Sequence, residues 1–193
     1  SDINISPSKY IYNIFKNNNF EVIYIPNCIN FSYYKFKKRQ KIRPRLIWLR
    51  SFHEIYNPKM AINVLKIISA SFCKTKLTMI GPDKDGSLNH CQRLSKKYGV
   101  EDNINFLGYL SKTEWIKISQ DHDIFINTSK IDNMPVSIIE MMALGLPIVS
   151  TNVGGIPFIL EHGKNSLLVK DNDEQNMASQ IKYLIEKPCF AGQ

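Results

Sequence analysis

The chain has 193 residues, 44% hydrophobic and 22% charged, with a formal charge of +8 and a pI near 9.3. That is ordinary globular composition, with length for one full core and a fragment of a neighbour. A spanning helix is excluded because no apolar run reaches the ~20 residues it needs: Glu140 interrupts the stretch from Val136 to Val149.

The amino terminus lacks the basic start and apolar segment of a signal peptide, so secretion is not expected. Ser8, Tyr10, Ile11, Ile14 and Phe15 have helical spacing, and Glu21 to Pro26 reads as a strand closed by proline, together the end of a unit that began upstream. Seven basic residues follow between Lys35 and Arg45. They read as a solvated linker in preference to a patch for nucleic acid or acidic lipid, because no stacking pattern continues beyond Tyr33, Tyr34 and Phe36.

After the linker, short apolar strands alternate with amphipathic helices. Strands are expected at Leu46–Leu49, Leu77–Ile80, Ile104–Leu107, Asp123–Ile126, Pro147–Ser150 and Leu167–Val169. Helices are expected at Pro58–Phe72 behind the cap Asn57, Ser87–Tyr98, Lys112–Ser119 behind Ser111-x-x-Glu114, Pro135–Leu144, Ile156–Glu161 and Asp173–Lys187. Strand–helix alternation with short connections implies parallel strands joined by right-handed crossovers, so the fold class is α/β, a Rossmann-like three-layer domain with a mainly parallel sheet. Ligands of such sheets sit at the carboxyl ends of the strands, which directs attention to the loops beginning at Arg50, Gly81, Gly108, Asn127 and Thr151.

The loop from Asn127 carries Asp132 and leads into a helix whose expected first residue is Pro135, with Glu140 sharing a face with Ser137 and Asn133. Free backbone amides at Asn133, Met134 and Val136 suit a phosphate or a sugar hydroxyl. The four cysteines (Cys28, Cys73, Cys91 and Cys189) are scattered, without metal-ligand spacing, and are expected as reduced thiols; no metal site is expected. His90, His122 and His162 read as structural residues on helix surfaces or loop edges, and His53 as shaping the loop after Arg50. Met141 and Met142 read as core packing.

The run Ile138-Ile-Glu-Met-Met-Ala-Leu-Gly-Leu-Pro-Ile-Val-Ser-Thr-Asn-Val-Gly-Gly-Ile-Pro, with Asp132 eight positions before Glu140, resembles the carboxyl-terminal domain of family 4 (group 1) retaining glycosyltransferases. Thr78-Met-Ile-Gly81-Pro82, Asn105-Phe-Leu-Gly108-Tyr and Ile25-Pro-Asn-Cys-Ile are similar to further segments of that family. The resemblance runs from about residue 8 to 187 and implies the carboxyl-terminal half of a GT-B fold.

It further implies that Asp132 bonds the donor sugar hydroxyls, that Glu140 accepts from the nucleotide ribose, and that Arg50 neutralises the departing diphosphate. Gly81, Gly108 and Tyr109 would lie along the nucleotide beside Asn133, Met134 and Val136. Gly154 and Gly155 would let the chain approach the donor or supply a positive-φ turn. This sequence departs from the family in four places: Asp132 stands for a glutamate, Tyr56 for a lysine that Lys59 could replace, Cys28 for a glycine, and Phe158 for a glutamate.

The expected organisation is therefore residues 1–30 as the end of a preceding amino-terminal acceptor domain, 31–45 as basic linker, 46–187 as the nucleotide-sugar donor domain and 188–193 as tail. The expected function is transfer of a sugar with retention from a nucleotide diphosphate sugar to an acceptor glycan, lipid or small molecule. No cofactor and no nucleic-acid partner are expected, the isolated fragment is expected to be inactive, and the location is expected to be cytoplasmic, with peripheral membrane contact left open. Two rivals stand beside it: a non-catalytic nucleotide-sugar-binding module, and a polyanion-binding protein acting through the basic segment.

Overall fold

The computed structural model describes residues 3–187; the expected tail at 188–193, and Cys189 with it, lies outside the described residues. The first elements are β1 (Asn4–Ser6), α1 (Lys9–Asn17) and β2 (Val22–Tyr24), with β1 and β2 paired in parallel as a separate two-stranded sheet. The main sheet holds β3 (Arg45–Leu49), β4 (Lys76–Ile80), β5 (Ile104–Gly108), β6 (Ile124–Asn127), β7 (Ile148–Thr151) and β8 (Leu167–Val169) in the order β5-β4-β3-β6-β7-β8. Every pairing in it is parallel. The chain first winds outward from β3 through β5, then returns to the centre and winds the other way, so the order reverses between β3 and β6. That reversal is where loops diverge and leave a crevice.

Helices α2 (Pro58–Ser69), α3 (Ser87–Tyr98), α4 (Lys112–Ser119), α5 (Val136–Ala143) and α6 (Glu174–Glu186) cover both faces. Strand side chains alternate between two cores, as a pleat requires. Leu46, Trp48, Leu77, Met79, Ile124, Ile126 and Val149 pack with α2, α3 and α6 residues such as Leu65, Cys91 and Ile181. Ile47, Ile80, Phe125 and Ile148 pack with Trp115 of α4 and Ile138 and Met141 of α5. This is the three-layer α/β arrangement expected from the alternation of strand and helix patterns, with Met141 in the core as expected.

Caps account for several helix starts. Asn57 sits in the left-handed region at φ 48°, and its side chain accepts from the amide of Met60 before Pro58 opens α2. The Glu114 carboxylate accepts from the amide of Ser111 at 2.8 Å ahead of α4.

Four expectations need correction. Helix α5 starts at Val136, because Pro135 is extended (ψ 107°) and serves as its cap. The expected helix Ile156–Glu161 is only a 3-10 turn at Ile156–Phe158: Asn165 takes the amide of Glu161 at 2.7 Å and donates to the carbonyl of Ile159, satisfying groups that a continuing helix would use. The basic segment is not uniformly solvated. Arg39 is 4% exposed, donating to the carbonyls of Lys37, Ser119, His122 and Leu144, while Arg43 pairs with buried Asp123 at 2.7 Å. Finally, His122 is buried between Thr78 and the carbonyl of Ile118, not on a surface.

Candidate donor-binding site at the sheet reversal

Arg50 follows β3 and Asp132 lies in the loop after β6, so the two approach from either side of the sheet reversal. Their side chains form a direct ion pair. Asp132 is 8% exposed, and burial raises its carboxyl above the ordinary carboxylate range against the opposing pull of Arg50, the Asn133 amide and Ser129. The Arg50 guanidinium also lies 4.2 Å from the centre of the Tyr56 ring, and its Nε is buried with no hydrogen-bond partner.

The loop that carries Asp132 is held by side-chain bonds rather than by regular structure. Asn127 donates to Ser150 and accepts from Ser129, Thr151 donates to the carbonyl of Ser129, and Thr128 links the Trp48 indole to the carbonyl of Tyr56. All but the part-buried bond from Thr128 to Tyr56 are buried, and buried polar groups that are satisfied hold one geometry. Behind the loop, the amide of Gly155 donates to the carbonyl of Asp132 at 2.8 Å. A Cβ on Gly154 or Gly155 would overlap the carbonyl oxygens of Asp132 and Asn133 respectively, and Gly154 has φ +53°. The two glycines thus let the chain lie against the site loop's backbone, and Gly154 also makes a positive-φ turn.

A similar close approach occurs at Gly81, after β4. At φ +149° its added Cβ would overlap the carbonyl of Arg50, and its amide donates to the carbonyl of Gly108 at 2.7 Å. Tyr109, next along, is 75% exposed. Asn133 is tied to the first unit by the hydroxyl of Ser8, the cap of α1. Met134 and Val136 are half-buried at the start of α5.

Glu140 stands one turn further along α5 and is buried. Its Oε1 accepts from the Tyr34 hydroxyl at 2.6 Å and pairs with Lys112 Nζ at 3.2 Å. Burial, then the bond to Glu140, raises the Tyr34 phenol above its usual value, and the neighbouring Tyr34 and Glu140 raise the Lys112 ammonium. Ser137, on the same helix, keeps a buried hydroxyl without a partner.

The structure thus brings Arg50 and Asp132 together and places Glu140 with two residues that motif reasoning did not single out as site residues, Tyr34 and Lys112. The one sequence cue for Tyr34 is its place in the Tyr33, Tyr34, Phe36 cluster. Lys59, suggested as a second cation, lines a different cavity of about 510 Å³ beside Glu54, Asp85 and Asn172. His53 caps the short turn after Arg50 through Nδ1, as expected for a loop-shaping residue. Among the described residues, no group of three or more His, Cys, Asp or Glu side chains is placed to hold a metal ion, and no helix is long and apolar enough to cross a membrane.

Comparison with known proteins agrees with this architecture. The sequence profile of the family described as "Glycosyl transferases group 1" matches residues 34–191. The N-acetyl-alpha-D-glucosaminyl L-malate synthase of Bacillus anthracis is 27% identical over 155 residues, covering 79% of this chain and 38% of that protein. The amylovoran biosynthesis glycosyltransferase AmsK of Erwinia amylovora is 31% identical over 86 residues, 42% of this chain and 21% of its own. Among solved structures, Anabaena Alr3699/HepE in complex with UDP-glucose superposes with TM-score 0.86 at 18% identity, covering 97% of this chain and 55% of that one. In each case the match spans well under two thirds of the relative's own length. The fold is the Rossmann-like α/β domain of GT-B structures, as the sequence resemblance implies.

Proposed function

The chain belongs to the group 1 glycosyl transferases, and from that premise we propose that it forms the donor half of a retaining glycosyltransferase acting on a nucleotide diphosphate sugar. The observation that carries this reading is the Arg50–Asp132 pair at the sheet reversal, followed along α5 by the buried carboxylate of Glu140. A leaving nucleoside diphosphate gathers negative charge as the sugar departs. Arg50, with Nε free of protein partners, and the amides of Met134 and Val136 are the groups that would stabilise it, whereas the Asn133 amide is already engaged by the Asp132 carboxyl.

Asp132 would accept from donor sugar hydroxyls, and Glu140 from the ribose. Gly81, Gly108 and exposed Tyr109 would border the nucleotide. The HepE structures hold UDP and UDP-glucose, which makes a uridine donor the first to test. No metal or other cofactor enters this reading.

The acceptor, whether glycan, lipid or small molecule, would bind on a preceding domain. The β1–α1–β2 unit supports that reading: it forms a sheet of its own and leaves Ile5, Ile23 and Ile25 exposed. Residues 1–30 would then close the amino-terminal domain, 31–45 would connect, and 46–187 would hold the donor. The isolated chain would bind nucleotide without turnover. A cytoplasmic location, with or without peripheral membrane contact, belongs to the same proposal.

One observation favours the non-catalytic alternative. The ring of Tyr56 lies against Arg50 where the family resemblance places a lysine, so the site has one cation fewer. The polyanion reading is weakened because Arg39 and Arg43 are engaged within the fold, which leaves Arg45 and lysines such as Lys35, Lys38 and Lys41 as the exposed charge.

Titration calorimetry of the chain with UDP, GDP and ADP, repeated on Glu140→Ala, tests the proposal. One nucleotide binding, and binding much more weakly to the variant, is the expected result. A folded chain that binds none of them would overturn it.

A further inference from the structure

The carboxylate of Glu140 does not take its orientation from α5 alone. Two donors reach its Oε1 from separate elements: Tyr34, which closes the 3-10 turn Phe31–Tyr33 in the segment between β2 and β3, and Lys112, the first residue of α4. The Lys112 ammonium also lies 5.2 Å from the centre of the Tyr34 ring, and that ring packs on Trp115 of α4 at 6.4 Å. The arrangement is therefore a closed three-membered network, anchored by aromatic packing and drawn from regions of the chain 106 residues apart.

Both donors bind the same oxygen. Among the described residues, Oε2 of Glu140 accepts no hydrogen bond, and the side chain keeps 11% of its surface exposed. A glutamate on a helix has three torsions and would otherwise sample several rotamers, so fixing one oxygen fixes the direction of the other. A carboxylate with one oxygen saturated and the other presented suits a ligand offering hydroxyl donors, such as the vicinal diol of a ribose.

We infer that Tyr34 and Lys112 are positioning residues that hold Glu140 by Oε1 so that Oε2 receives the ribose hydroxyls of the donor nucleotide. The inference rests on the ribose role proposed for Glu140. It makes the segment joining the two sheets a determinant of nucleotide selection, although nothing in that segment need touch the nucleotide.

The test compares a nucleoside diphosphate with its 2′-deoxy form, using whichever of UDP, GDP and ADP binds the 193-residue chain. Titrations on the unaltered chain should favour the ribonucleotide, and Glu140→Ala should remove that preference. Tyr34→Phe and Lys112→Met should each weaken the ribonucleotide roughly tenfold while hardly changing the deoxy form, the size expected for a hydrogen bond to a charged group. Lys112→Arg should recover most of the loss. In a Glu140→Ala background neither substitution should have any further effect, because the positioned group is gone.

If Glu140→Ala abolishes the ribose preference while Tyr34→Phe and Lys112→Met leave it intact, or if their effects add to that of Glu140→Ala, the positioning role is wrong and the ribose reading survives. A preference untouched by Glu140→Ala, or no nucleotide binding by the folded chain, overturns the ribose reading and this inference with it. Should Tyr34→Phe fail to unfold cooperatively, Lys112→Met decides, since that side chain is 47% exposed.

Discussion

Arg50 and Asp132 are 82 residues apart in sequence and joined by a direct ion pair at the point where the sheet reverses its order. Removing one partner of a buried pair strands the other charge, which costs more than the pair itself is worth. Arg50→Met should therefore destabilise the chain by about 3–5 kcal/mol, read from urea unfolding, and abolish nucleotide binding. The double substitution Arg50→Met, Asp132→Leu should regain most of the stability and none of the binding. Equal stability of the single and double variants would contradict the role of the pair.

Gly155 and Gly163 separate the effect of close packing from that of backbone conformation. Gly163 has φ +78° with no atom within 4 Å of an added Cβ, whereas a Cβ on Gly155 would overlap the carbonyl of Asn133. Gly163→Ala should cost about 1 kcal/mol, the penalty of a left-handed conformation. Gly155→Ala should cost more and should also weaken nucleotide binding, because the loop carrying Asp132 and Asn133 must move to admit it. Matching losses for the two variants, with binding unchanged, would show that this loop does not depend on the glycine contact.

Arg39 sits inside the fold, where its guanidinium donates to carbonyls near the carboxyl ends of α4 and α5. Burial lowers its pKa to about 10, so it remains charged at neutral pH and compensates helix-end carbonyls. Arg39→Met should cost about 2–4 kcal/mol by leaving several of those carbonyls without donors. Replacing the exposed Lys35, Lys38 and Lys41 by glutamine should each change stability by less than about 0.5 kcal/mol. Chemical unfolding of the four variants checks the contrast. A mild Arg39→Met would return this residue to the solvated linker.

The six main strands and the helices α2 to α6 are readable from the sequence because each carries a local signal: an apolar run of strand length, a helical stripe, or a cap such as Asn57 or Ser111. Strand β1 is not, since three residues have no period of their own and pair only with β2 across α1. The segment from Ile156 has the apolar spacing of a full helix yet forms only a turn, because the competing bonds come from Asn165. In the candidate site, Arg50, Asp132 and Glu140 are marked by motif and by loop position. The pairing of Arg50 with Asp132 and the engagement of Glu140 by Tyr34 and Lys112 depend on contacts between distant segments, which no local pattern encodes. Arg39 is the same case: its partners Ser119, His122 and Leu144 lie 80, 83 and 105 residues away.

His122 gives a pH dependence whose sign follows from its environment. Its Nδ1 lies 2.8 Å from the carbonyl of Ile118 and its Nε2 2.8 Å from the Thr78 hydroxyl. A carbonyl can only accept, so Nδ1 carries the proton and the neutral ring accepts from Thr78 at Nε2. Burial holds the folded pKa below the ordinary 6.5, outweighing the bond to Ile118 and the nearby Asp121 and Asp123. The unfolded chain therefore binds a proton more readily than the folded one. This contribution to stability is complete above pH 6.5 and is lost as pH falls from there through the depressed folded value, with a slope of at most about 1.4 kcal/mol per pH unit. Urea midpoints measured between about pH 8 and pH 5.5 should fall on acidification, and His122→Gln, which keeps a donor and an acceptor but does not titrate, should flatten that fall. If the two proteins lose stability in parallel, the acid sensitivity arises from other groups and His122 is protonated in the fold as readily as in the open chain.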